Sequence, residues 1–166
     1  MCIRDRDIHK DPINLLTLEL ESCYGVHAHS IPCDLESDSD IIELASDLRS
    51  NIGSIDVLIN NAAFVGSNQL TGWSVCFERQ SLDTWRRALE VNLTAPFTLV
   101  QSLKPLLDVS GNASVINIGS IYGVYGPDLS LYEGTTMNNP AAYAASKGGL
   151  LQLTRYLSTV LSPNIR

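Results

Sequence analysis

The sequence predicts an α/β fold in which a parallel sheet is covered by helices on both faces. Two observations support this prediction. Amphipathic helical stretches alternate along the chain with short apolar runs of the strand type. The order is helix, strand, helix, strand, helix, strand, helix, which is typical of parallel strands joined by helical crossovers. The 166 residues correspond to one domain or to part of one.

Turn and cap residues set the bounds of these elements. Gly25 and Gly53 end the first two helices, because glycine readily adopts the left-handed backbone of a helix C-terminus. Ser81 is suited to begin the third helix as its N-cap. The predicted helices span residues 11–24, 38–51, 81–108 and 141–161. The predicted strands span residues 26–33, 55–59 and 113–118, and long loops span residues 64–80 and 119–140.

The composition excludes several classes of protein. Apolar residues make up 45% of the chain and charged residues 17%, which suits a packed core and excludes a disordered chain. The net charge of −7 argues against a nucleic-acid surface. No run approaches the ~18 apolar residues of a membrane span, and the opening residues lack the apolar core of a secretory signal. We therefore expect a cytoplasmic protein with no nucleic-acid or membrane partner.

The cysteines and histidines do not follow the spacing of a metal site. His27 and His29 share one face of a predicted strand, but the sequence offers no third ligand nearby. The chain has four cysteines and no CxxC pair: Cys2, Cys23, Cys33 and Cys76. This pattern predicts reduced thiols and no bound metal.

Tyr143 and Lys147 are the first candidates for chemistry. They stand four residues apart in the last predicted helix, so they share one of its faces. A phenol is a weak base at neutral pH, but a neighbouring ammonium favours its phenolate form and prepares it for proton transfer. The same spacing also arises on surface helices that carry no function, so the pair alone does not decide between the two interpretations.

Ser120 and Asn92 are two further candidates for chemistry. One follows a predicted strand, and the other lies inside a predicted helix. Ser120 follows the strand at residues 113–118, where a hydroxyl can bind a substrate oxygen or simply close a turn. Asn92 lies inside the third predicted helix, four residues before Pro96. Because proline has no N–H, the Asn92 carbonyl loses its helical donor and must bond another group, most simply water. A kink without chemistry is the alternative.

Taken in order, these residues resemble the short-chain dehydrogenase/reductase family. The order is Asn-Asn-Ala-Ala at residues 60–63, then Asn92, Ser120, Tyr143 and Lys147. The resemblance implies a Rossmann-type doubly wound parallel sheet in a three-layer α/β/α arrangement. It further implies an enzyme that transfers a hydride between a nicotinamide cofactor and a secondary alcohol or ketone. A homodimer or homotetramer is implied as well.

The resemblance also implies a role for each catalytic candidate. Tyr143 would be the acid or base, and Lys147 would favour its phenolate and hold the nicotinamide ribose. Ser120 would orient and polarise the substrate oxygen together with Tyr143. Asn92 would hold, through its main-chain carbonyl, a water that links Lys147 to solvent.

Cofactor contacts are implied at the end of one strand. The family's Asn-Asn-Ala-Gly motif has alanine in place of glycine here, a change that still permits close approach of the backbone to the cofactor. The residues concerned are Asn61, Ala62 and Ala63.

Two acidic positions are implied to contact the adenosine half of the cofactor. Asp34 and Leu35 match the family's adenine contact, although Asp34 could instead, or in addition, cap a helix. Asp7 resembles the acidic residue that accepts both ribose hydroxyls and repels a 2′-phosphate, which favours NAD over NADP without excluding NADP. Asp7 could equally belong to a charged tail.

The loops around residues 64–85 and 121–140 look like those of oxidoreductases of flagellin modification and legionaminic-acid-type sugar biosynthesis. This narrower resemblance implies an amino-sugar or other polyhydroxylated substrate. A lid or a subunit contact is the alternative role of the second loop, and a 3-oxoacyl thioester or a simple ketone is the alternative substrate.

The family's first strand and its glycine-rich turn have no counterpart in this sequence. We therefore expect one incomplete dinucleotide-binding domain over residues 1–166, truncated at both ends, with residues 1–6 of foreign origin. The isolated chain is then expected to show little or no activity. The alternative is an inactive module that serves binding or assembly.

Overall fold

The computed structural model describes residues 10–67 and 69–166, with side chains described from residue 14 onward. Two strands lie between helices, β1 (Val57–Asn60) and β2 (Ser114–Asn117). A π-helical turn covers Glu90–Thr94, and three single 3-10 turns cover Phe77–Arg79, Ile121–Gly123 and Leu129–Tyr132. The α-helices are α1 (Lys10–Tyr24), α2 (Asp38–Asn51), α3 (Leu82–Leu89), α4 (Ala95–Ser110) and α5 (Ala141–Leu161).

The two strands pair in parallel, which confirms the α/β class and the parallel sheet. The register places Val57 beside Ser114 and Asn60 beside Asn117. At the last pair, the Asn60 Nδ2 donates to the Asn117 Oδ1 at 2.8 Å, and the Asn117 Nδ2 donates to the Thr154 Oγ1 on α5 at 2.9 Å. These side-chain amides therefore fix the strands to each other and to the helix above them.

Helices α4 and α5 pack on the same face of this sheet. Leu58 on that face is only 3% exposed, and the core continues through Leu99 and Leu103 of α4. On the opposite face Val57 and Ile59 remain 52% and 54% exposed. The described helices thus cover mainly one side of the described sheet, the side that also carries α5 and its site residues.

The strand predicted at residues 26–33 is wrong: this segment has no sheet pairing. A strand requires a neighbour to bond its N–H and C=O groups, and within residues 10–67 and 69–166 no strand lies beside this segment. Its end is nevertheless held, because Cys33 is buried in the core next to α2.

The single long helix predicted at residues 81–108 is divided by the π turn. Pro96 cannot donate to the Asn92 carbonyl, and its ring would crowd the preceding turn. The chain accommodates the proline by widening: the Ala95 N–H donates to the Glu90 carbonyl, five residues back. The other helices follow the predicted bounds closely, and Ser81 caps α3 as expected by accepting the Thr84 N–H at 3.1 Å.

Among the described residues, no helix combines the length and the apolar character that crossing a bilayer requires. Asp7, Cys2 and the segment 1–6, for which we predicted a cofactor contact, a reduced thiol and a foreign origin, lie outside the described residues.

Candidate active site

The four predicted catalytic residues lie on the N-terminal half of α5 or on elements packed against it. Strand β2 leads through Gly119 to Ser120, and the 3-10 turn that follows packs on α5. A Cβ at Gly123 would lie 2.8 Å from the backbone of Lys147, so this close approach requires glycine. The turn after β2 is thereby seated directly on the residues that carry Tyr143 and Lys147.

Lys147 is held in a buried position next to Tyr143. Its side chain is 2% exposed, and its Nζ donates to the Ile118 carbonyl at 2.7 Å. The Nζ lies 5.9 Å from the centre of the Tyr143 ring. Burial lowers the pKa of Lys147, because the ammonium is removed from water without a carboxylate partner. The predicted sharing of one helix face by these two side chains is therefore present in the structure.

Asn92 holds this site together through its side chain. Its Oδ1 accepts the Phe64 N–H at 2.6 Å, and its Nδ2 donates to the Phe64 carbonyl at 3.2 Å and to the Ser146 Oγ at 3.0 Å. The residue is 1% exposed. The sequence argument concerned only its main-chain carbonyl, although an asparagine amid apolar neighbours in a helix is itself a signal of a buried amide that needs partners.

Ser120 shows the turn-closing role that its position allowed. Its Oγ accepts the Tyr122 N–H at 3.2 Å and begins the 3-10 turn at residues Ile121–Gly123. Ser120 is partly exposed, and because its hydroxyl accepts in this bond, it retains a proton to donate to a ligand. Ser120 does not line the cavity described next, and the structure does not join it to Tyr143 by a hydrogen bond.

A cavity of about 190 Å³ opens beside Tyr143. Aromatic rings from Trp73, Tyr122 and Tyr132 form part of its wall, and the Tyr122 and Tyr132 hydroxyls are hydrogen-bonded to each other. That bond raises the pKa of Tyr132. None of the described residues that line this cavity carries a charge. The remaining lining residues are Val65, Ser74, Met137, Asn138, Asn139 and Pro140.

The long loop predicted at residues 119–140 supplies part of this wall through Tyr122 and Tyr132. Asp128 instead closes its own turn, where its Oδ1 accepts the Ser130 N–H at 3.0 Å. Asn139 was missed, although it directly precedes the proline and helix that carry Tyr143.

The predicted cofactor residues lie at the end of β1 and before α2. Ala62 and Ala63 are partly exposed and Asn61 is exposed, and Asn61 and Ala62 border a small cavity of about 20 Å³ together with Leu35. Small side chains beside open space fit the close approach of a dinucleotide, so this segment suits the group that the resemblance implies. Leu35 itself is 3% exposed and belongs to the core.

Asp34 does not cap α2, which was the alternative role for it. Ser37 is the N-cap, since its side chain accepts the Asp40 N–H at 3.3 Å. Asp34 is exposed, and its Oδ1 accepts the Glu36 N–H at 2.9 Å within a local turn. Its carboxylate therefore remains accessible to a ligand. The described part of the chain contains no group of three His, Cys, Asp or Glu side chains that could hold a metal ion.

Comparison with known proteins agrees with this geometry. The family profile described as "short chain dehydrogenase" matches residues 4–166. A rhamnolipids biosynthesis 3-oxoacyl-[acyl-carrier-protein] reductase of Pseudomonas aeruginosa is 32% identical over 165 residues, which are 97% of this chain and 56% of that protein. The chain spans about half the length of the curated relatives it matches.

Solved structures show the same likeness. The NADP active-site complex of Pseudomonas aeruginosa RhlG superposes with a TM-score of 0.73 at 31% identity, over 90% of this chain and 54% of that one. An NAD+-bound xylitol dehydrogenase superposes with a TM-score of 0.75 at 27% identity, over 93% of this chain and 53% of that one.

Proposed function

Because the chain belongs to the short-chain dehydrogenase family, we propose that the protein transfers a hydride between a nicotinamide dinucleotide and a carbon that bears an alcohol or a ketone. The observation that carries this proposal is the Tyr143–Lys147 pair. Lys147 is buried with its Nζ 5.9 Å from the Tyr143 ring, and Tyr143 borders a cavity large enough for a small substrate.

In this proposal Tyr143 exchanges the proton. Its phenol gives a proton to the carbonyl oxygen during reduction and takes it back from the alcohol during oxidation. The buried ammonium of Lys147 favours the phenolate that remains after the proton has left. Ser120 donates a hydrogen bond from its hydroxyl to the same substrate oxygen and so helps to orient it. The cofactor, when bound, supplies or accepts the hydride.

Asn92 is a positioning residue in this proposal. Its amide ties the Phe64 backbone, which follows the cofactor segment, to Ser146, which stands next to Lys147. A shift of the Asn92 side chain would therefore displace both the segment next to the cofactor residues and the turn of α5 that carries Lys147. The proposed water on the Asn92 carbonyl would connect Lys147 to solvent, and the proline that removes a donor from this carbonyl supports that role.

The dinucleotide would lie across the segment from Asn61 to Ala63, with Asp34 and Leu35 at its adenine end and Lys147 at its nicotinamide ribose. We propose NAD as the preferred form on the basis of Asp7, with NADP as the second candidate. The relatives include both an NAD+-bound xylitol dehydrogenase and an NADP complex of RhlG.

Two substrate classes follow from the relatives. The name of the Pseudomonas aeruginosa reductase points to a 3-oxoacyl thioester, and that of the xylitol dehydrogenase points to a polyol. The amino-sugar substrate remains a narrower prediction of the second class. We further propose a cytoplasmic homodimer or homotetramer; analytical ultracentrifugation of the whole protein distinguishes these from a monomer.

The test is steady-state hydride transfer by the whole protein, followed through the absorbance of the reduced nicotinamide. Tyr143→Phe should lower kcat by about 10²–10⁴-fold, since proton transfer contributes that much. Tyr125→Phe is the matched control, because Tyr125 is an exposed loop tyrosine that does not line the cavity. Wild-type turnover by a folded Tyr143→Phe variant would contradict the proposal. Binding without turnover of any alcohol or ketone would favour the alternative of an inactive binding module.

A further inference from the structure

Asn139 presents a buried amide with no partner. The residue is 8% exposed, and neither its Nδ2 nor its Oδ1 has a hydrogen-bond partner. Leaving such a donor and acceptor unpaired is costly, and buried amides without partners are uncommon in folded proteins. Asn139 is one of the residues that line the same cavity as Tyr143, and its amide atoms lie just beneath the cavity surface. An amide in this position is explained if a ligand completes its hydrogen bonds.

The backbone around Asn139 is fixed on both sides. The Asn139 N–H donates to the Asn138 Oδ1 at 2.8 Å, and the Asn138 Nδ2 donates to the Val75 carbonyl at 2.9 Å. Beyond Pro140, the Ala141 N–H donates to the Gln80 Oε1 at 3.0 Å. The backbone segment that carries Asn139 is therefore attached to residues 75–80 at two points.

We propose that the Asn139 amide recognises a pair of neighbouring hydroxyls on the substrate, next to the carbon that reacts at Tyr143. One hydroxyl accepts a hydrogen bond from the Nδ2, and the other donates to the Oδ1. This proposal rests on the proposed function, since it makes Asn139 a specificity-determining residue of that site.

The chemistry of the cavity favours this ligand over others. A carboxylate or a phosphate would place an acceptor against the Oδ1, and no lining residue offers a compensating charge. A plain hydrocarbon would leave the whole amide unpaired. The rings of Trp73, Tyr122 and Tyr132 suit the C–H faces of a polyhydroxylated carbon skeleton, while the amide pairs with its hydroxyls.

Ligand binding can be measured without turnover, through the fluorescence of Trp73 in the cavity wall. Trp85→Phe leaves Trp73 as the one tryptophan within these 166 residues, which contain two. The probes are cyclohexane-1,2-diol and cyclohexanol, which differ by one hydroxyl. The whole protein should bind the diol roughly 10- to 100-fold more tightly, the effect expected of pairing a buried amide.

Asn139→Leu should abolish this preference by weakening binding of the diol and leaving that of cyclohexanol nearly unchanged. Asn139→Ala is the second variant, and circular dichroism verifies that both are folded. Asn112→Leu is the matched control: it makes the same substitution at an exposed loop position away from the cavity, and it should retain the preference.

The outcomes separate this inference from the proposed function. If the diol preference is lost in both Asn139 variants, the inference stands, whether or not the wild-type protein turns over an alcohol. If the wild-type protein shows no diol preference, or if a folded Asn139 variant keeps it, the inference is overturned. Loss of turnover in Tyr143→Phe with an intact diol preference supports both.

Discussion

Replacing Asn92 with alanine tests whether one buried amide joins the two halves of the site. The substitution removes the partners of the Phe64 N–H and C=O and one partner of the Ser146 Oγ. Ser146 keeps its bond to the Tyr143 carbonyl at 2.9 Å, so two backbone groups are left unpaired. Each unpaired buried group costs about 1–3 kcal/mol, which gives a total loss of about 2–6 kcal/mol.

A loss of about 3 kcal/mol would move the urea midpoint by roughly 1–3 M for an ordinary denaturant slope. Unfolding is followed by far-ultraviolet circular dichroism and by the fluorescence of Trp73, whose Nε1 donates to the Val65 carbonyl next to Phe64. Asn51→Ala is the matched control. It removes an exposed amide that bonds only within its own helix, and it should cost less than about 0.5 kcal/mol.

In the Asn92→Asp variant, the free energy of unfolding should depend on pH. The carboxylate can still accept the Phe64 N–H, but it faces the Phe64 carbonyl without a donor and is buried as a charge. Burial raises the pKa of such a carboxyl above its unfolded value, so the destabilisation is present above that folded pKa and is relieved as the pH falls through it. If Asn92→Ala unfolds within about 0.5 kcal/mol of the wild type, the amide does not hold the loop and this reasoning is refuted.

Three further predictions concern the packing around the site. Gly123→Ala would press a Cβ against the α5 backbone at 2.8 Å and should cost about 1–3 kcal/mol in urea unfolding, whereas Gly126→Ala meets nothing within 4 Å; equal costs would contradict this. Arg87→Ala removes a partly buried ion pair with Glu36 that is made through two hydrogen bonds, and it should lower the free energy of unfolding by about 1–2 kcal/mol. Lys104→Ala, in an exposed pair with Asp108, should lower it by less than about 0.5 kcal/mol, and the reverse order would contradict the prediction. Burial, together with two nearby carboxylates, raises the pKa of the Cys33 thiol to about 11. Near neutral pH, the alkylation of Cys33 in the native protein should therefore be about 100-fold slower than that of the exposed Cys23 and Cys76, and unfolding in urea should remove the difference. Equal alkylation rates in the native protein would disprove this prediction.

The sequence predicted the helices more reliably than the strands, for a physical reason. Helix bonds are local, so the cap at Ser81 and the apolar spacing within residues 141–161 carry enough information to place an element. A strand depends on a partner elsewhere in the chain. The segment at residues 26–33 has the composition of a strand, but a ladder partner decides whether it becomes one.

The sequence likewise predicted the residues of the site that lie within one helix and missed those contributed by a loop. Tyr143 and Lys147 follow from spacing within one helix, and the structure keeps them together. The amide of Asn139 and the tyrosine pair at residues 122 and 132 depend on how a loop folds back on the sheet, which no local pattern encodes. The π turn at Asn92 lies between these cases: Pro96 indicates the disturbed helix, but only the packed structure shows which groups the Asn92 side chain binds.

The amide bridge from Asn60 to Asn117 and on to Thr154 constrains how this protein can change over generations. A substitution at Asn117 removes the acceptor of the buried Asn60 Nδ2, so drift at the two positions is coupled although 57 residues separate them. The coupling is weaker in the other direction, because Asn117 keeps its bond to Thr154 when Asn60 is replaced. Descendants that retain Asn60 should therefore retain a hydrogen-bond acceptor at position 117.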